Sequence, residues 1–160
     1  MSPTPGPPWW ADEMLGRLAR YLRFFGHDTR YERGLGDDEI LTRAARERRT
    51  ILTRDRALAA RAASAVLLRS TAIGDQIREL DRNVPGLSME LRFDRCPLCN
   101  SGLEPWTPPT DRPFPDGVPR ERVDLGLRVF VCGPCGRQFW EGSHAERIRR
   151  DLLAWRTAAP

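Results

Sequence analysis

Hydrophobic and polar positions follow two rhythms in the first half of the chain. Trp9-Trp10-Ala11, Thr50-Ile51-Leu52-Thr53 and Ala65-Val66-Leu67-Leu68 are short runs without the alternation of a half-exposed strand. Such runs suit strands buried on both faces of a parallel sheet. Between them the apolar residues recur every three or four positions. From Asp12, the set Leu15, Leu18, Ala19, Leu22 and Phe25 predicts a helix that Gly26 ends, with Arg17, Arg20 and Arg23 on its other face. Thr29 to Glu32 predicts a second strand and Asp37 to Arg48 a helix with Ile40, Leu41, Ala44 and Ala45 inward. Asp37 and Asp38 stand where helix caps belong. Further helices are expected over 55–63 and 73–81, so strand and helix alternate as in an α/β fold with a parallel sheet.

Near Leu87 to Arg95 cysteine, proline, glycine and aromatic residues replace this periodicity. The expected organisation is a Pro-rich flexible arm over 1–8, an α/β domain over 9–90, and a cysteine-bearing unit with a C-terminal helix over 91–160. Six prolines between 105 and 119 predict an irregular loop. Residues 128–131 and 138–140 read as short strands, and Ser143 to Trp155 as a last helix.

The four cysteines form two C-x-x-C pairs, Cys96/Cys99 and Cys132/Cys135. Two intervening residues let a tight turn aim both sulfurs at one ion, and two pairs complete a closed four-thiolate shell, the pattern of structural zinc. Asn100 and Gly136 tolerate the left-handed backbone that often follows such a turn. Cys132-Gly133-Pro134-Cys135 also matches a thioredoxin tetrapeptide, but a redox pair sits at a helix N-terminus, and Phe139-Trp140 predicts a strand. With no secretion signal in Met1 to Pro8, disulfides are not expected and the cytoplasm is the expected compartment.

In the α/β half, Asp12, Glu13, Asp37, Asp38 and Asp55 follow strands or open helices. C-terminal strand edges of parallel sheets are where sites form. Carboxylates gathered there repel unless a cation neutralises them, and oxygen ligands favour Mg²⁺ or Mn²⁺. Each aspartate has a second reading as a helix cap, and Glu13 as a partner of a helix dipole.

The 26 basic residues are all Arg, and the net charge is +4. Without Lys, Schiff-base chemistry and a Walker phosphate loop are excluded, whereas a nucleic-acid partner is permitted. No apolar run is long enough to span a membrane. Arg17, Arg20, Arg23, Arg43, Arg46, Arg48 and Arg49 read either as a phosphate-tracking surface or as ordinary charged helix faces. Trp106, Phe139 and Trp140 read as base-stacking platforms or as the core of a small ribbon. His27 reads as a solvated turn residue, and His144 as a phosphate or proton-transfer group or a helix-start residue.

Asp12-Glu13-Met14-Leu15-Gly16-Arg17-Leu18-Ala19-Arg20-Tyr21-Leu22-Arg23, Gly26-His27-Asp28-Thr29 and Leu52-Thr53-Arg54-Asp55-Arg56 resemble segments of the Mut-seven C-terminal RNase domain family. So do the two cysteine turns and Phe139-Trp140-Glu141-Gly142-Ser143-His144, and the resemblance spans about residues 9 to 150. It implies a PIN-like α/β domain followed by a small four-cysteine zinc ribbon, and metal-dependent RNA cleavage. Position by position, it implies Asp12, Asp37 and Asp55 as the acidic residues, with Asp38 able to stand in for Asp37. Arg17, Arg20, Arg54 and Arg56 are the matching basic positions.

The expectation is therefore a cytoplasmic ribonuclease. Asp12, Asp37 and Asp55 would hold Mg²⁺ or Mn²⁺, while the arginines and His144 hold RNA. Structural zinc would sit in the ribbon. The alternative is a nucleic-acid- or protein-binding module that keeps the fold without cleavage.

Overall fold

A computed structural model describes residues 6–107, 114 and 116–158. Residues 1–5 of the expected arm and much of the Pro-rich loop lie outside the described residues. Pro8 already joins the sheet, its carbonyl accepting from the Thr50 amide at 2.9 Å.

Strands β1 (Trp9–Ala11), β2 (Thr29–Tyr31), β3 (Thr50–Thr53) and β4 (Ala65–Leu67) form a parallel sheet in the order β2-β1-β3-β4. They alternate with α1 (Gly16–Phe24), α2 (Asp37–Arg46), α3 (Arg56–Arg61) and α4 (Ile73–Asn83). Helices cover both faces, which explains why β1 does not alternate. Trp9 and Ala11 face a core with Leu18, Leu22, Phe25, Ile77 and Leu80, whereas Trp10 faces Ile40, Ala44, Ile51 and Leu58. Burial of each such large side chain is worth roughly 1.5–3 kcal/mol.

The first helix differs from expectation at its start. Asp12 keeps extended backbone and its side chain accepts from the Glu13 amide, so Glu13–Leu15 form a 3-10 turn and α1 begins at Gly16. Its end is as the sequence predicts. Gly26 has φ +85°, with the Gly26 amide donating to the Arg23 carbonyl and the His27 amide to Leu22. Arg23, expected on the solvent face, is buried at 6% exposure. It lies four residues beyond buried Ala19, which puts it on the edge of the apolar stripe. Nor are Asp37 and Asp38 the caps of α2. Gly36 holds that position, and both aspartates fall in the first turn.

The second sheet is antiparallel, in the order β5-β6-β7, from β5 (Glu104–Trp106), β6 (Val129–Val131) and β7 (Gln138–Trp140). β5 overlaps the start of the stretch expected to be irregular, and the short α5 (Arg120–Asp124) follows directly after it. Pro105 fits a strand because β5 is at the sheet edge, where a missing N–H costs no ladder bond. Trp106, Val118 and Val129 form this unit's core, with Trp140 packed against it. The last helix, α6 (Ser143–Thr157), returns to the α/β half: Ile148 and Leu152 enter its core, and the Trp155 ring meets Tyr21 edge-on at 5.4 Å. Among the described residues no helix is long and apolar enough to cross a membrane.

Candidate functional site

Two turns of the same design hold the cysteines. The Cys96 amide donates to Ser101 and the Asn100 amide to Cys96; likewise the Cys132 amide donates to Arg137 and the Gly136 amide to Cys132. Asn100 and Gly136 take the left-handed backbone, with φ 69° and 70°. All four sulfurs lie within 4.8 Å of one another. The Cys96 and Cys135 sulfurs are 3.7 Å apart, and those of Cys99 and Cys132 3.3 Å. These separations are far beyond a disulfide bond. They match a tetrahedral zinc shell, in which Zn–S bonds near 2.3 Å put the sulfurs ~3.8 Å apart. A strand, not a helix, follows Cys135, which removes the dipole that a redox pair needs. Burial and the neighbouring sulfurs push the Cys132 thiol up to about 12. Burial also opposes ionisation of Cys99, but hydrogen bonding to Ser101 and the neighbouring sulfurs brings it to about 6. Four sulfurs this close cannot all ionise without a cation among them, so the group suits a metal such as zinc.

The first cysteine turn is fastened to the α/β half by polar side chains. Arg23 Nε donates to the Thr29 carbonyl at 2.8 Å, and its Nη1 donates to Leu98 at 2.9 Å and Pro97 at 3.2 Å. Asn100 accepts from the Thr29 amide at 3.0 Å and donates to Asp28 at 2.7 Å. Arg49 grips the same Asp28 carboxylate with two N–H groups, at 2.9 and 3.2 Å. Although burial opposes its ionisation, these bonds hold the Asp28 carboxyl below the usual range. Asp28, Thr29 and Arg49 sit at the N-terminal ends of β2 and β3, so the first cysteine turn docks at that edge. Arg23 and Arg49 thus serve this joint and not an open phosphate surface, and Arg43 pairs with Glu32 and Glu39.

The acidic residues occupy the opposite, C-terminal edge. Asp12 is buried directly after β1, with its Oδ1 accepting from the Glu13 amide and its Oδ2 from the Thr53 hydroxyl at 2.8 Å. That hydroxyl, at the end of the adjacent β3, also accepts from the Asp55 amide at 2.9 Å. Asp55 Oδ1 caps α3, accepting from Ala57 at 2.6 Å and Leu58 at 3.1 Å. Thr53 was missed in the sequence; its only signal is a hydroxyl ending a buried strand two residues before an aspartate. Asp37 and Asp38 are exposed, and Asp38 pairs with Arg61 on α3. Glu13 accepts from the Gly34 amide at 3.3 Å. Among the described residues, the cysteines are the group of three or more His, Cys, Asp or Glu whose ligand atoms converge. Asp12 and Asp55 are joined through Thr53, and Asp37 is not drawn in to them in that way.

Arg54 carries a buried Nε without a partner beside this network, and Arg56 is exposed in the first turn of α3. Arg17 and Arg20 are exposed on α1, and Arg17 borders a cleft with Met14, Thr71, Gly74 and Trp155 at the same edge. His144 lies far from it, edge-on to Phe24 at 5.9 Å. His27, expected in solvent, is buried at 2% exposure, its Nε2 2.6 Å from the Ser88 carbonyl.

No curated protein and no solved structure matches the chain. A family model does, the Mut7-C RNAse domain, over residues 8–152. That span takes in the acidic edge, both cysteine turns and most of α6, and the chain belongs to the Mut7-C RNAse domain family.

Proposed function

We propose that the protein is a metal-dependent ribonuclease whose reaction centre is the C-terminal edge of the parallel sheet. The observation carrying this reading is the Asp12–Thr53–Asp55 network at the ends of adjacent strands: one buried hydroxyl donates to the Asp12 carboxylate and accepts from the Asp55 backbone amide, in a member of an RNase family. Oxygen-only donors suit Mg²⁺ or Mn²⁺, and each carboxylate has lone pairs beyond those its present bonds use. Asp12 and Asp55 are the residues to hold the ion, with Asp37 or Asp38 completing its ligands. When bound, the ion activates water and offsets charge developing on the phosphodiester. Thr53 fixes the Asp12 carboxylate in place, and Arg54 follows it directly as a cation for the phosphate backbone. Arg17, Arg20 and Arg56 hold neighbouring phosphates.

The test is Asp12→Asn. We expect Mn²⁺-dependent cleavage of single-stranded RNA to fall at least a hundredfold while RNA affinity is kept. Equal cleavage by both proteins rejects the assigned centre. A second reading, an RNA-binding module without cleavage, is favoured by the caps that Asp12 and Asp55 already provide. It wins if the unmodified protein binds RNA but cleaves none.

A further inference from the structure

Away from the acidic edge, a cavity of about 190 Å³ lies where α1, β7 and the start of α6 meet. Its walls include Phe24, Phe93, Phe139, Trp140 and His144, with Gln138 and Ser143 as polar groups. The aromatic side chains are not all explained as core. Trp140 packs against the ribbon core, but Phe139 belongs to no core cluster among the described residues. Across the antiparallel pair, Phe139 lies opposite Phe130, on which Phe93 stacks with centroids 4.9 Å apart and planes 7° from parallel. Phe139 therefore ends a row of aromatic rings at the open edge of the sheet, since β7 is an edge strand.

We propose that this cavity receives one unstacked nucleobase of a single-stranded RNA. Cavities on the order of 150 Å³ hold a benzene-sized ring, so the space suits one heterocycle whose sugar and phosphate stay outside. Aromatic walls recognise any base by its π face, while Gln138 and Ser143 can bond to the base edge. Charge favours RNA over an apolar peptide. Arg17, Arg20 and Phe24 recur at helical spacing along α1, so two exposed cations line the path from the acidic edge to the cavity. α1 covers that distance in ~13 Å, from its nine residues at 1.5 Å each. The inference rests on the ribonuclease reading only for the kind of polymer bound.

The experiment uses the full zinc-loaded chain and a short oligoribonucleotide carrying one 2-aminopurine, with no added Mg²⁺ or Mn²⁺. Binding should quench the 2-aminopurine. Phe139→Ala, which removes a wall, and Ala145→Leu, which fills the cavity, should each abolish the quench and weaken binding roughly five- to hundredfold. Zinc content and melting temperature report whether each variant folds, and two opposite changes guard against one failing. No quench by the unmodified protein, or no binding, overturns the proposal. So does a quench unchanged in both variants, which would leave the cavity to an apolar protein side chain. Cleavage of unlabelled RNA with added Mn²⁺ separates the two readings: quench without cleavage removes the nuclease and keeps the base site, and cleavage without quench does the reverse.

Discussion

At the scale of single residues, the chemistry depends on groups whose partners lie far away in sequence. Thr53 satisfies both Asp12 and the Asp55 amide from a fully buried position. Thr53→Val keeps the shape and removes the hydroxyl, leaving a carboxylate oxygen and an amide short of a partner at about 1–3 kcal/mol. We expect melting to fall by several degrees and any Mn²⁺-dependent cleavage to drop, with Thr53→Ser restoring both; a Val protein as stable and active as the original would refute the relay. His27 makes a pH-dependent contribution. Burial, with Arg92 and Arg95 nearby, lowers its pKa despite the bond to Ser88. Its ring therefore takes up a proton at lower pH in the fold than in the unfolded chain, which does so as pH falls through ~6.5. Its contribution is full above that pH and is lost below it. The stability advantage over His27→Gln, with zinc kept saturating, should shrink from pH 7.5 to 5.5; parallel curves would discount the histidine.

At the scale of elements, local signals were enough where the chain alone decides the structure. Gly26 ends α1 because only a residue tolerant of positive φ fits there, and Asn100 and Gly136 close the cysteine turns for the same reason. Gly26→Ala should cost about 1–2 kcal/mol and Gly26→Asn distinctly less. If thermal melts rank Asn below Ala, the strain argument fails. Elements that depend on tertiary partners were harder to read. β5 contains a proline and exists because β6 supplies a pairing edge. Arg23 looks like a solvent residue until the carbonyls of Pro97 and Leu98, more than seventy positions away, arrive to accept its protons. The four-cysteine site was legible from spacing alone, since one ion must be surrounded by two short turns. The acidic edge was legible as a set of strand-end residues but not as a geometry. Spacing cannot say that one hydroxyl ties the Asp12 carboxylate to the Asp55 backbone amide while Asp37 stands on an exposed turn.

At the scale of the whole molecule, the cysteine unit is attached at one edge of the parallel sheet and the acidic residues stand at the other. The cysteine turns therefore do not reach the acidic edge, and any influence on it has to pass through the joint at Arg23, Asp28, Arg49 and Asn100. Burial lowers the Arg23 pKa, whereas Cys96 and Cys99 act to raise it. Four thiolates around one Zn²⁺ would carry a net negative charge, so a filled site would help, through its thiolates, to compensate this buried cation. Stripping zinc would loosen the turn that presents the Pro97 and Leu98 carbonyls and leave Arg23 with its Thr29 bond, a partial loss of partners that should cost less than the roughly 3–5 kcal/mol of a fully broken buried pair. Zinc loss should thus destabilise the α/β half as well as the ribbon, and the melt should move down as one transition by on the order of 10 °C. Arg23→Met removes the charge that zinc helps to hold. In that variant the shift caused by chelation should be smaller by the equivalent of about 0.5–3 kcal/mol, the range typical of directly coupled groups. Equal shifts in the two proteins, or a ribbon that melts alone while the α/β half keeps its original transition, would mean that the joint transmits nothing.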